Sequence, residues 1–213
     1  MDDILATMDI ASPHKAVSPT LDGDVLRVLA RTTGVLTGRE VAALTGRRSH
    51  SGVLDALNRL TEHGLVDRVE LNRAYLFTLN REHLAAPAVE LLMDMRGELL
   101  RRIRGALDSW EIAPANVSMF GSAARGDGGT ASDIDLLVIR PRAVDDDNTT
   151  WRTQLADLKD QIRRWTGNYA QIVELADEEI DQLRREDRAI VAALRSDALV
   201  LHGSDISTMV GPA

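Results

Sequence analysis

The chain has 213 residues, 44% of them apolar and none of them cysteine. It is long enough for two small domains that each bury a core, while disulfides, thiolate zinc sites and a cysteine nucleophile are excluded. The formal charge of −8 argues against a surface that is basic all over. The excess is uneven: residues 1–85 carry ten Lys and Arg against eleven Asp and Glu, and the remainder carries fifteen against twenty-two. No apolar run approaches the ~18 residues of a membrane span, and the start MDDILATMDI is acidic where a signal peptide is basic, so a cytoplasmic protein without membrane contact is expected. The five histidines (His14, His50, His63, His83 and His202) show no spacing that pairs two on one helix face, and surface or capping roles are expected for them.

In chain order, LDGDVLRVLA sets Leu21, Val25, Val28 and Leu29 on one helical stripe. TGREVAALTG opens with Thr37 and Glu40 in capping-box spacing and stops at Gly46. SHSGVLDALNRLTEHGLV spaces Val53, Leu54, Leu57 and Leu60 as a helix, with a serine cap and Gly64 at its end. VDRVELNRAYLFTLN alternates as strands do, with Asn72-Arg73 where a hairpin turns. Three helices and a hairpin, from about Leu21 to Asn80, resemble a winged helix-turn-helix domain. The resemblance implies a recognition helix over residues 49–63, with Arg47, Arg48, Ser49, His50 and Ser51 at its nucleic-acid-facing end and Arg73 at the wing tip. DNA or RNA contact is weighed there against docking of protein.

A long amphipathic helix is predicted over residues 81–110, with Val89, Leu92, Met93, Leu99, Leu100, Ile103 and Leu107 on its apolar stripe. It is expected to bridge two domains, residues 1–85 and 86–213. Beyond it, ANVSMFG, SDIDLLVIRP and YAQIVELA read as strands. WRTQLADLKDQIRRWTG and DEEIDQLRREDRAIVAALRSDA read as helices, and LVLHG as a last short strand. The acidic run Asp145 to Asp147 reads as a solvated loop, and Trp110, Trp151 and Trp165 as core or interface residues.

Asp133 and Asp135 stand at the mouth of a strand that is otherwise apolar. Residues two apart on a strand share a face, with Cα atoms about 6.6 Å apart, so both carboxylates aim at one place. Two carboxylates held that close in a poorly hydrated cleft repel unless a cation sits between them. Upstream, a strand running into Gly121-Ser122 offers backbone N–H groups and a hydroxyl to a phosphate.

Gly121-Ser122, ten residues, then Asp133-x-Asp135, with ARGD in the gap and SDIDLLV closing it, resembles the minimal nucleotidyltransferases of the DNA polymerase β superfamily. The likeness runs loosely from Val89 to Gly203. It implies an α/β (α+β) chain in which a winged helix domain precedes a polymerase β-like nucleotidyltransferase domain. It implies further that Asp133 and Asp135 bind two Mg²⁺ ions, that Gly121 and Ser122 hold the triphosphate, and that Arg125 lies beside it. The family's third carboxylate, a catalytic metal ligand, falls on Glu174, where the family more often has Asp. The implied reaction is Mg²⁺-dependent transfer of an NMP, AMP in the first place, from an NTP such as ATP to a macromolecular acceptor: RNA, or a protein such as a toxin. The competing reading is a DNA-binding regulator or an antitoxin, monomeric or oligomeric, whose transferase domain only binds nucleotide.

Overall fold

The computed structural model describes residues 7–46, 49–186 and 188–206. It is a mixed α/β structure with two separate sheets, and contacts divide it into two units. One unit is Pro13–Met95; the other takes Arg96 onward together with the described residues up to Ser12. The division falls after the expected 85/86 boundary.

In the first unit a 3-10 turn, Pro13–Ala16, precedes α1 (Leu21–Ala30), β1 (Leu36–Thr37), α2 (Gly38–Leu44), α3 (His50–Glu62), β2 (Val66–Leu71), β3 (Ala74–Leu79) and α4 (Ala86–Met93). Local chemistry sets the element ends. The Thr37 hydroxyl accepts from the Glu40 N–H while the Glu40 carboxylate accepts from the Thr37 N–H, which satisfies two donors that the first turn of α2 would otherwise leave unpaired. Ser49 caps α3 by accepting from the Gly52 N–H. Strands β2 and β3 pair in antiparallel register from Val66↔Leu79 to Leu71↔Ala74, and β1 joins the far side of β3 to give the order β1-β3-β2. Val25, Leu29, Val41, Val53, Leu57 and Phe77 fill the core between helices and sheet.

Two expectations are corrected here. The predicted long helix is broken at Asp94: α4 ends there, and α5 runs over Met95–Asp108. Asp is a poor helix former that favours helix ends, and here its own N–H closes the last turn of α4 on Glu90 and Leu91. His14, expected at the surface, is buried against the equally buried Asp24, with Nε2 and Oδ1 3.3 Å apart. Burial lowers its pKa, and the hydrogen bond to Asp24 partly offsets that.

In the second unit β4 (Asn116–Phe120), β5 (Ile134–Arg140), β6 (Ala170–Ala176) and β7 (Leu199–Gly203) form a sheet of order β6-β5-β4-β7, in which β5 and β6 alone run parallel. Among the described residues four further helices join α5: α6 (Gly121–Arg125), α7 (Thr149–Thr166), α8 (Ile180–Glu186) and α9 (Arg188–Asp197), with a 3-10 turn over Asp177–Glu179. Paired residues of neighbouring strands face the same side. Phe120, Leu137 and Ile139, with Val173 and Leu175, therefore share one face, which packs under Ile180, Leu183, Val191 and Leu194 of α8 and α9. Asn148, at the end of the acidic run, caps α7 by accepting from the Trp151 N–H.

The described residues before the first unit, 7–12, belong to the second. Met8 donates its N–H toward Thr166 O and Asn168 Oδ1, and Ala11 donates to Gly128 O. Asn168 is 1% exposed, and its Nδ2 donates to both Met8 O and Ser132 O. One buried amide thus ties the N-terminal strap, the end of α7 and the residue before Asp133.

Candidate active site

Strand β4 is buried along its whole length and delivers the chain into Gly121, where φ is +69°. Glycine is required here twice over. The left-handed backbone disfavours a side chain, and a Cβ would lie 2.7 Å from Asp135 Oδ2. The turn that begins at Gly121 and the Asp135 carboxylate are therefore in van der Waals contact, as the register Phe120↔Asp135 requires. The short helix α6 ends at Gly126, again left-handed, and the following loop folds back over Ser122: a Cβ on Gly128 would lie 3.0 Å from Ser122 Oγ and 3.3 Å from Ser132 Oγ.

Asp133 and Asp135 both lie half-buried at the start of β5. Burial raises the Asp135 carboxyl above its ordinary pKa, and the Asp133 charge beside it adds to the rise. A pair of neighbouring carboxylates could hold a hard divalent cation, with remaining positions left to water or phosphate oxygens. Among the described residues no cluster of three or more His, Cys, Asp or Glu could hold a metal.

Glu174 does not join the two aspartates. In the parallel register Asp135 pairs with Gln171 and Val138 pairs with Glu174, so Glu174 faces the opposite side of the sheet. Its Oε1 accepts from the indole N–H of fully buried Trp151 at 2.8 Å and from Arg140 at 3.2 Å. The expected third carboxylate is corrected to a structural acceptor under α7. Glu174→Ala leaves the indole N–H and the Arg140 guanidinium without this acceptor and should lower unfolding stability by about 1–3 kcal/mol. Glu174→Gln keeps an oxygen there and should lose less, as urea unfolding of both variants can establish.

Two residues at the site escaped the reading of the sequence. Gln171 stands in register with Asp135, and its Nε2 donates to Asp133 Oδ2 at 3.3 Å, so an amide rather than an acid holds that position. Arg96, near the start of α5, donates from Nε to Ala123 O at 3.2 Å and from Nη2 to Ala124 O, fixing the carbonyls of α6. Strand parity would have found Gln171 had the register been known; nothing in the sequence points to Arg96. Arg125, expected beside phosphates, donates to Asp127 at 3.0 Å and to Asp197 of α9 at 2.6 Å. Hydrogen bonds to these two acids raise its already high pKa.

In the first unit Ser49, His50 and Ser51 lie together and exposed at the N-terminal end of α3, with Ser49 Oγ 3.3 Å from Ser51 Oγ. Arg73 sits exposed at the hairpin turn, and Arg47 and Arg48 lie outside the described residues. Trp110 meets Trp151 edge to face at 5.5 Å. No helix among the described residues is long and apolar enough to cross a membrane.

Residues 100–194, all within the second unit, match the family model described as a nucleotidyltransferase domain. No curated protein matches the chain. Among solved structures, a toxin–antitoxin complex with AMP-PNP is 18% identical with a TM-score of 0.37, covering 52% of this chain and 80% of that one. A mutant of the toxin–antitoxin pair MntA–HpeT is 17% identical with the same score and coverage. A protein from Sulfolobus solfataricus assigned as a nucleotidyltransferase is 19% identical with a TM-score of 0.30, covering 51% of this chain and 83% of that one. Likenesses this distant bear on neither the acceptor nor the partner of this chain.

Proposed function

We propose that this chain, whose residues 100–194 match a nucleotidyltransferase domain, moves an NMP from an NTP, ATP in the first place, to a macromolecular acceptor, with Asp133 and Asp135 holding Mg²⁺. The observation that carries the reading is the contact between the Gly121 turn and the Asp135 carboxylate, with Asp133 alongside. When bound, divalent metal neutralises charge on the attacking and leaving oxygens of the phosphoryl group. The Gly121-Ser122 turn orients the triphosphate through backbone N–H groups and the serine hydroxyl. An acceptor hydroxyl attacks the α-phosphorus, its oxygen bonds to phosphorus, and pyrophosphate departs. The hydroxyl proton goes to a base other than Glu174, which faces away, and other than Gln171, whose amide cannot take it. Arg125 reaches a phosphate by exchanging Asp127 or Asp197 for it. The mouth is open on the side of exposed Gln171, which suits the approach of a protein or RNA acceptor.

The test is incubation with α-labelled and, separately, γ-labelled ATP, Mg²⁺ and cell lysate. Transfer of AMP predicts a macromolecule labelled from the α-position alone, with no label in the presence of EDTA. Absence of label together with retained nucleotide binding would favour a binding-only regulator or antitoxin.

The first unit is read as a winged helix that localises the enzyme on DNA, RNA or a partner. Ser49, His50 and Ser51 on α3, Arg47 and Arg48 before it and Arg73 on the hairpin are its nucleic-acid side. Exposed apolar residues on that hairpin, Val69 at 57% and Leu71 at 55%, favour protein docking as a second use of the same unit.

A further inference from the structure

Strand β2 is the outer strand of its sheet, and from Asp67 to Leu71 every residue is exposed. Edge strands in soluble proteins are usually shortened, bulged or covered, because their unpaired N–H and C=O groups invite another strand. This one is six residues long, pairs without a bulge and contains no proline.

The turn determines which of its backbone groups point outward. Asn72 and Arg73 both have positive φ, 49° and 65°, as the two central residues of a type I′ hairpin do. In such a hairpin Leu71↔Ala74 is the hydrogen-bonded pair that closes the turn. Hydrogen-bonded and non-bonded pairs then alternate, so Val69↔Leu76 is bonded while Arg68↔Phe77 and Glu70↔Tyr75 are not. The N–H and C=O groups of Arg68 and Glu70 are thus turned away from β3, toward the open edge.

We propose that the chain forms a two-fold dimer by antiparallel pairing of β2 with β2 of a second copy, centred on Val69. The sequence Arg68-Val69-Glu70 is self-complementary about that centre. Arg68 of one copy stands opposite Glu70 of the other on both sides of the axis, in the register that makes each a hydrogen-bonded pair through the outward backbone groups. Opposite charges facing across strands stabilise a pairing, whereas like charges oppose it. On the outer face Val69 meets Val69, and Leu76 beside each extends the apolar stripe across the joined six-stranded sheet. Arg68 is already held over the Tyr75 ring at 4.8 Å and donates to Asn58 at 3.3 Å, so it has little freedom left to lose on pairing.

Two short edges bury little area, so the dimer belongs to the micromolar class. Sedimentation velocity of the full chain from about 1 to about 200 µM should follow a monomer–dimer equilibrium. Arg68→Glu and Glu70→Arg should each weaken dimerisation about ten-fold or more, because each sets like charges opposite one another twice. The Arg68→Glu, Glu70→Arg double variant should return to near the wild-type constant, since the register exchanges the two partners. Val69→Lys, at an exposed position, should abolish the dimer while circular dichroism stays native. A chain that is monomeric at the highest concentration, a dimer indifferent to the reversals and to Val69→Lys, or a double variant no better than the singles would each overturn the assignment.

Discussion

Asp135→Asn and Asp133→Asn should each lower nucleotide transfer by about 10³-fold or more while leaving the melting temperature at neutral pH unchanged or raised. The first half follows from charge. A phosphoryl transfer site works almost wholly by positioning and neutralising, and an amide in place of either carboxylate removes half the anionic charge that would hold the proposed cation. The second half follows from the Asp135 carboxyl, whose pKa is raised by burial and then by Asp133. A carboxylate with a raised folded pKa is disfavoured in its charged form, so at neutral pH it subtracts from stability. As pH falls through the raised value the folded state binds the proton first, and that penalty lifts. Asn at 135 removes the penalty at every pH. The wild type should therefore gain on the variant as pH falls into the carboxylate range, and parallel thermal melts from neutral to acid pH read the difference. A variant that melts well below the wild type at neutral pH would mean that Asp135 is held by contacts this structure lacks.

Gly121→Ala should reduce turnover about 100-fold and stability by about 1–2 kcal/mol. The stability loss is the cost of a non-glycine residue at φ +69°. The turnover loss has a different origin. The new methyl would stand 2.7 Å from Asp135 Oδ2, so either the carboxylate rotates off its line to Asp133 or the turn lifts away from it. Misplacing a catalytic group by about 1 Å is enough for a loss of that order. Weaker Mn²⁺ binding by the variant, measured by calorimetry without substrate, would trace the loss to the carboxylate. Unchanged Mn²⁺ affinity with wild-type turnover would contradict the contact.

Periodicity and turn chemistry made most elements readable. Helix α1 is the stripe LDGDVLRVLA itself, the Thr37–Glu40 box caps α2, and Asn72-Arg73 turns the hairpin. The Asp133-x-Asp135 pair was readable for the same reason, because residues two apart on one strand share a face whatever surrounds the strand. Glu174 was misread because that rule works only within a strand. Alternation groups Ala170, Ile172 and Glu174, but the side they take depends on the register with β5, which is a long-range fact. Set by Asp135↔Gln171, the register turns Glu174 toward Trp151. Burial of His14 escaped for a similar cause: the helix that covers it, carrying Asp24, is a tertiary neighbour. The break at Asp94 was a competition between a continuous apolar stripe and one residue's preference for a helix end, and the local preference won.

The strap through Met8 and Ala11 changes what kind of object the first unit is. The described residues up to Ser12 belong to the second unit, and the chain returns to that unit at Arg96, so in sequence the first unit is an insertion between two stretches of the second. Genetic dissection has to respect that topology. A fragment cut to begin at Arg96 would strip Asn168 of both its partners on Met8, leaving a buried amide half-satisfied beside Ser132, the residue before Asp133. An excision that instead joins Ser12 to Arg96 through a linker keeps the amide's full set of partners and should leave the start of β5 as firmly held as in the whole chain.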